Sequence, residues 1–380
     1  MNALAPTSMP DSASAKNSVL IVDDSRTSRA FIETVINGQP DLRVVGSVFS
    51  GEKALEFLRT TTPDVVTLDV EMPGIGGLAT LEQIQQINAA LPYNQRIGVL
   101  MVSAYTLGTT EVTQAALRAG AYDFVTKPST QIDESTPLDF RHDLIVKLRQ
   151  YLQRRGRGAP VRAQPIQQIQ TDPSTLGLVP PGGGRTVAAV LIGASTGGPK
   201  ALAALLPELT AATDAPILIV QHLPVGFTQS LAENLQRRTD WAVHEAAHDQ
   251  EVRPRNIYVA PGGRHLTVAA RPSGKWVTVL TDDPPESGCR PSASVLFRSA
   301  ASAFGAEAMA IILTGMGNDG TTGLCDIRRQ GGYVIAQDEA SSVVWGMPGS
   351  AVAAGAAQRV LPLDLIAAHV VAVTRESRVL

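Results

Sequence analysis

The residues Gly193-Ala194-Ser195-Thr196-Gly197 set a serine in the spacing G-x-S-x-G, directly after the apolar run VAAVLIG at 187–193. Small residues around such a serine let a strand turn sharply into a helix and leave the hydroxyl exposed as a nucleophile. A glycine-rich phosphate loop and an ordinary strand-to-helix turn fit the pentapeptide too, although neither G-x-G-x-x-G nor a P-loop lysine pattern is present. A serine nucleophile needs a base within hydrogen-bond reach and a carboxylate to orient that base. Five histidines share this half of the chain: His222, His244, His248, His265 and His369. His222 directly ends the apolar run PILIVQH and is the first candidate base; His265, in APGGRH, is held in reserve. His244 and His248 stand four apart in WAVHEAAHDQ, where a helix would present both on one face, but no carboxylate signature for a metal accompanies them and a packing or exposed role is expected. His369 lies in an apolar helical pattern and reads as structural. Asp319 is the candidate carboxylate, in IILTGMGNDG, after a buried-looking strand and within a glycine-rich loop that allows close backbone approach. Asp282, Asp283 and Asp338 stay open as alternatives, and Asn318-Asp319-Gly320 alone is also good turn or cap sequence.

A second set of chemistry-bearing residues lies in the first half. Asp23 and Asp24 follow the run SVLIV, Asp69 follows DVVTL, Ser103 follows IGVLMV and Lys127 follows YDFVT. Three clustered carboxylates repel one another unless cations sit among them. Lys127 supplies one charge, and a hard divalent ion such as Mg²⁺, which prefers oxygen ligands, would supply the rest. That arrangement suits phosphoryl transfer to a carboxylate, with metal and lysine neutralising the phosphoryl oxygens. Asp24 alone also reads as a cap for a helix starting near Ser25.

These residues fall at the ends of strands in two strand–helix alternations. From Ser18 to about Arg154, five short runs (18–22, 42–48, 64–68, 97–102 and 122–126) alternate with helical segments at 25–36, 51–60, 77–87, 113–120 and 139–155. The alternation predicts a parallel sheet with helices on both faces, and in such sheets ligand sites collect beyond the carboxyl ends of the strands. A second alternation runs from 187 to 380, with apolar runs at 187–193, 215–221, 256–262, 309–315 and 333–338 and an antiparallel pair at 264–270 and 276–282. Residues 1–16 read as a disordered leader, 17–155 as one folded domain, 156–186 as a Pro-, Gly- and Gln-rich linker and 187–380 as a second domain.

The bulk composition narrows the function class. A net charge of −3 over 380 residues gives no electrostatic reason to expect a nucleic-acid partner. Two cysteines, Cys289 and Cys325, form neither a disulfide framework nor a zinc pattern and suit a reducing cytosol. No apolar run approaches the roughly 20 residues of a membrane span, so a cytoplasmic protein with no membrane insertion is expected.

The first half resembles a response-regulator receiver domain through VDDS (22–25), LDVEMPG (68–74), MVSA (101–104) and FVTKP (124–128). The resemblance implies a flavodoxin-like (βα)5 fold in which Asp69 accepts a phosphoryl group from a sensor histidine kinase. It makes Asp24, Asp69 and the Glu71 carbonyl Mg²⁺ ligands, with Asp23 helping through water. Ser103 and Lys127 become phosphoryl contacts and Phe124 the aromatic switch residue. Two departures are IGGL at 75–78, where receivers commonly carry an acidic residue, and a long loop at 88–96. The second half resembles the catalytic domain of chemotaxis protein-glutamate methylesterases through IGASTGGP (192–199), QHLPVGFTQSLA (221–232), YVAPGGRHL (258–266), CRPSASVLFRSAA (289–301), ILTGMGNDG (312–320) and VVWGMPGSA (343–351). This implies a mostly parallel doubly wound α/β hydrolase with Ser195 as nucleophile, His222 as base and Asp319 as orienting acid, with backbone support from Thr196 at the oxyanion and from Met316 at the histidine or the oxyanion. No cofactor is expected for that reaction. The implied substrate is the glutamyl γ-methyl ester of chemoreceptor cytoplasmic helices; the family also deamidates certain glutamines. The implied switch is a receiver that covers the cleft around Ser195 until Asp69 is phosphorylated.

Overall fold

The structure is a computed structural model and describes residues 16–103, 112, 115–117, 119–127, 136–156 and 185–374. All of the expected leader except Lys16, and most of the expected linker, lie outside these residues.

The first domain is a five-stranded parallel sheet in the order β2-β1-β3-β4-β5, built from β1 (Asn17–Val22), β2 (Leu42–Val48), β3 (Val65–Asp69), β4 (Gly98–Ser103) and β5 (Asp123–Thr126). Central strands β3 and β4 are buried throughout, which is why they read as apolar runs, interrupted in β3 only by Thr67 before its terminal Asp69, rather than as alternating ones. Helices α1 (Arg26–Asn37), α2 (Gly51–Leu58), α3 (Gly76–Ala89) and α4 (Thr136–Gly156) cover the faces. The segment expected as helix at 113–120 is helical at 115–117 and 119, where it is described. The long loop at 88–96 is closed by Asn88, whose side chain donates to the Ile97 carbonyl at 2.9 Å and accepts the Ile97 N–H at 2.7 Å.

The second domain is a seven-stranded parallel sheet in the order β14-β13-β12-β6-β7-β9-β8, with a separate antiparallel pair, β10 (His265–Ala270) and β11 (Trp276–Thr281). From β6 (Ala189–Ala194) the chain first builds outward through β7 (Ile217–Gln221), β8 (Ala242–Glu245) and β9 (Asn256–Val259). It then returns to the other side of β6 with β12 (Ala308–Ile312), β13 (Tyr333–Gln337) and β14 (Arg359–Leu361). The reversal opens a crevice at the carboxyl ends of β12, β6 and β7, where a doubly wound sheet places its ligand. Leu202 and Leu206 of α5 (Gly198–Ala212) pack on one face, and Leu296 and Phe297 of α7 (Ala293–Phe304) on the other. α6 (Phe227–Gln236), α8 (Thr321–Arg329), α9 (Gly346–Ala353) and α10 (Leu363–Thr374) complete the layers.

Two short elements depart from the sequence reading. WAVHEAAHDQ forms edge strand β8 followed by a loop, so His244 and His248 do not share a helix face. Four residues, Ala-Val-His-Glu, are too few for periodicity to separate a strand from a helix turn. The three-residue strand β14 carries no periodic signal at all.

One close approach yields a stability prediction. A Cβ on Gly77, near the start of α3, would lie 2.1 Å from the Asp69 carbonyl oxygen and 2.9 Å from that of Val70. Both are backbone atoms, so helix or strand must move. Overpacking of this kind costs about 3 kcal/mol, against a helix-propensity gain of about 1 kcal/mol. Gly77→Ala is therefore expected to lower the melting temperature of the first domain by several degrees in calorimetry of the full chain. Gly274→Ala, where a Cβ meets nothing within 4 Å and only the φ of +79° is strained, should cost about 1 kcal/mol. Equal losses at the two sites would contradict the packing argument.

Candidate functional site

Ser195 follows β6 and His222 follows β7, two strands paired in parallel through Ala194 and Gln221. Backbone bonds fix the pair: the His222 N–H donates to the Ala194 carbonyl at 3.1 Å, and the Ser195 N–H donates to the Thr314 carbonyl beyond β12 at 3.0 Å. The Gln221 side-chain amide donates to the Ser195 carbonyl at 2.9 Å and to the His222 carbonyl at 3.3 Å, tying the two turns together. The turn after Ser195 needs glycine. Gly197 has φ +78°, and a Cβ on Gly315 would meet Ser195 Cβ at 2.9 Å.

Asp319 meets His222 at 2.8 Å, Oδ2 to Nε2. The carboxylate is 2 % exposed and surrounded by donors from the start of α7. Its Oδ1 accepts the Ser292 hydroxyl at 2.7 Å, the Ser294 N–H at 3.1 Å and the Gly320 N–H at 2.8 Å. Its Oδ2 also accepts the Ala293 N–H at 2.6 Å. A helix N-terminus favours a buried anion through its unpaired N–H groups and dipole. Burial works against the charge of Asp319, but His222, Ser292 and Ala293 outweigh it and hold the carboxyl far below its usual range. Burial likewise opposes the imidazolium, yet Asp319, and after it Cys289, raise His222 above the ordinary imidazole value. An ionised Asp319 takes the Nε2 proton as its donor, which leaves Nδ1 as the basic nitrogen. Ser195, Thr196, His222, Cys289 and Met316 line one cleft of about 920 Å³. The arrangement can support proton removal from a hydroxyl and acyl transfer.

The other candidates go elsewhere. His265 is fully buried, with Nδ1 accepting the Ser292 N–H at 3.2 Å and Nε2 against the Pro284 carbonyl at 3.1 Å, so it braces the turn before α7 and is no base. Asp282 pairs with Arg264 at the surface, Asp283 is exposed, and Asp338 accepts from Ser341. His244 bonds Asn256, His248 contacts the Leu280 carbonyl, and His369 stacks on Tyr333. Sequence reading missed Ser292, Ser294, Gln221 and Cys289. The Pro-Ser step in CRPSAS signals a helix cap, since Ser292 caps α7, but nothing local says that the cap holds a carboxylate 27 residues away.

In the first domain Lys127 Nζ lies 2.7 Å from both Asp23 Oδ2 and Asp69 Oδ2. Oxygen atoms of Asp23, Asp24 and Asp69 all lie within 4.8 Å of one another, with Glu71 lining the same hollow. Ser25, not Asp24, caps α1 through the Ser28 N–H, because Asp24 turns toward the cluster while Asp23 accepts from Ser25 and Ser28. Burial, with the Asp23 charge added and Lys127 opposing, pushes the Asp69 carboxyl up to about 6. Oxygen donors carrying more negative charge than one ammonium balances are the ligand set a hard divalent cation takes. Ser103 is fully buried at the end of β4, and its carbonyl accepts the Lys127 N–H at 2.7 Å.

The two domains meet through β5. Phe124 stacks on Phe227 of α6 with ring centroids 5.1 Å apart, and both rings are buried. Asp123, His142, Lys147 and Tyr151 of the first domain line the cleft that holds Ser195 and His222.

Residues 190–370 match the family model described as CheB methylesterase, and residues 19–134 match the response regulator receiver domain. A protein-glutamate methylesterase/protein-glutamine glutaminase of Nocardioides sp. is 41% identical over 350 residues, covering 91% of this chain and 92% of that one. A second relative of the same description, from Paramagnetospirillum magneticum, is 38% identical over 373 residues, 94% of this chain and 96% of that one. The crystal structure of the Thermotoga maritima CheB methylesterase catalytic domain is 40% identical and covers 49% of this chain and 98% of that one, with a TM-score of 0.48. Among the described residues no helix is long and apolar enough to cross a membrane. With a receiver domain and a methylesterase domain in one chain, aligned to such relatives over nearly its whole length, the protein belongs to the protein-glutamate methylesterase/protein-glutamine glutaminase family.

Proposed function

We propose that this protein is a phosphorylation-activated hydrolase that removes the methyl group from glutamyl γ-methyl esters on the cytoplasmic helices of chemoreceptors. The observation that carries the reading is the 2.8 Å bond from buried Asp319 to His222, which lines the same cleft as Ser195. Ser195 attacks the ester carbonyl while His222 Nδ1 takes its proton; collapse of the intermediate returns that proton to methanol. Water repeats the cycle on the acyl-enzyme and frees the carboxylate. Backbone N–H groups at Thr196 and Met316 stabilise the oxyanion, an effect of about 3–4 kcal/mol per donor in comparable hydrolases. The same steps with ammonia leaving would deamidate glutamine, in keeping with the names of the relatives.

In the receiver, Asp69 is the phosphoryl acceptor from a sensor histidine kinase, with Lys127 and Ser103 contacting the transferred group. A carboxyl pushed up to about 6 is still mostly ionised at pH 7 and more basic than an ordinary aspartate, both of which favour attack on phosphorus. Asp24, Asp69 and the Glu71 carbonyl would hold Mg²⁺, with Asp23 acting through water. The ion, when bound, neutralises charge on the phosphoryl oxygens. Because the folded carboxyl of Asp69 ionises above its unfolded value of 3.8, its contribution to stability is present below about pH 4 and lost as pH rises through 6. Neutral pH thus leaves the cluster poised to gain from a cation or a modification. The Phe124–Phe227 contact and the receiver side chains over the cleft support an unphosphorylated state that restricts access to Ser195.

Five outcomes are expected. Methanol release from methylated receptor membranes should fall by on the order of 10⁴-fold or more in Ser195→Ala. It should fall by about 10⁴-fold in Asp319→Asn. Wild-type rate should climb with pH through an inflection above the ordinary imidazole value of about 6.5, as His222 loses its proton, and Asp319→Asn should move the residual inflection down. An inflection at or below 6.5 in wild type would break the assigned pairing. Mg²⁺ should raise the melting temperature of the receiver in wild type and far less in Asp24→Ala; equal shifts would remove the cation from this cluster. Phe124→Ala should raise the unphosphorylated rate severalfold and shrink the gain from a small phosphodonor, whereas an unchanged ratio would argue against gating by this contact.

A further inference from the structure

Cys289 stands directly against the base. Its Sγ lies 3.6 Å from Nδ1 of His222, the nitrogen that Asp319 leaves available, and both side chains are partly open to the cleft. The hydrolytic reading assigns this thiol no step. The three ligand types His222, Cys289 and Asp319 have donor atoms within 4.8 Å of one another.

We propose that Cys289 Sγ and His222 Nδ1 form a binding site for a thiophilic divalent cation, Zn²⁺ above all, that reversibly switches the hydrolase off. The geometry favours it. A zinc ion about 2.3 Å from sulfur and about 2.05 Å from nitrogen, at a tetrahedral angle, sets the two ligands about 3.6 Å apart. That is the separation already present between the two atoms. The second nitrogen of a zinc-bound histidine characteristically donates to a carboxylate, which fixes the ring and strengthens the ligand. Asp319 fills that place at 2.8 Å and is itself locked by Ser292 and the start of α7. Both ligands line the cleft, from which water would complete the coordination. On binding, the thiol gives its proton to solvent, the Sγ and Nδ1 lone pairs form the two bonds to the metal, and no oxidant or reductant is involved. A cation on Nδ1 occupies the lone pair that would take the Ser195 proton, so hydrolysis stops until the metal is removed. The loss of activity rests on the hydrolytic reading, whereas the metal site itself does not.

The test is metal binding and turnover measured separately on the full chain. With saturating Mg²⁺ present to fill the receiver cluster, Zn²⁺ competition against a chromogenic chelator should give one site per chain. That site should weaken at least tenfold in Cys289→Ser and in His222→Gln and stay unchanged in Cys325→Ser. Co²⁺ in its place should give a thiolate-to-cobalt charge-transfer band absent from Cys289→Ser. Methyl ester hydrolysis should be inhibited over the concentrations that fill this site and restored by EDTA, with the inhibitory concentration shifted at least tenfold in Cys289→Ser relative to that variant's own zinc-free rate. Binding that ignores both substitutions, or no cobalt–thiolate band, overturns the site. A site that fills as described in a protein that hydrolyses no ester even when metal-free leaves the site standing and overturns the hydrolytic reading instead.

Discussion

The carboxylate of Asp319, buried at the start of α7, is the interaction on which the candidate site of the second domain is built. A lone ion in that position would cost several kcal/mol. Here four donors from Ser292, Ala293, Ser294 and Gly320 satisfy it before His222 arrives. The acid is therefore rigid, and the imidazole adapts to it. One consequence is the choice of nitrogen: Nε2 is committed to Asp319, and whatever chemistry the ring performs must pass through Nδ1. Another is that α7, far from Ser195 in sequence, becomes part of the site's framework.

Sheet topology explains why these parts meet. Ser195, His222 and Asp319 follow three adjacent strands, β6, β7 and β12, and only the reversal of strand order around β6 makes β7 and β12 its two neighbours. Gly315 and Gly197 keep the turns thin enough for the loops to touch. The receiver applies the same rule to different chemistry. Asp23, Asp69 and Lys127 follow β1, β3 and β5, and their charges converge because parallel strands all end on one edge.

What the sequence revealed follows from the range over which each signal acts. Strand ends were legible because buried parallel strands are mostly apolar runs and the polar residue that stops each one is conspicuous, as with Gln221-His222 and Asp69. Ser195, His222 and Asp319 could thus be placed at strand ends, but their convergence needed strand order, which no local pattern encodes. His265 shows the limit: it too stands at a strand end, yet it is sealed under the turn before α7. The partners of Asp319 and the approach of Cys289 to His222 are contacts between segments 27 and 67 residues apart, invisible to spacing. His244 and His248 take the packing roles expected of them, but that they sit on and beyond an edge strand was not legible, because four residues carry too little periodicity.

Strand β5 joins the two chemistries over a short distance. Lys127, just past its end, is held by Asp23 and Asp69, while Phe124, three residues earlier, packs on Phe227 above the catalytic cleft. Three residues of strand span about 10 Å. Lys147 of α4 clasps the same strand, donating to the Phe124 carbonyl at 2.7 Å while lining the cleft. A phosphoryl group on Asp69 would give Lys127 a new anionic partner, and any resulting shift of β5 would be felt at Phe124 without passing through the rest of the receiver. Such a shift biases catalysis only if the Phe124–Phe227 contact differs in free energy between the two states of Asp69. The Phe124–Phe227 pair is thus one place where the state of Asp69 can be felt at the cleft, beside the receiver side chains that line it.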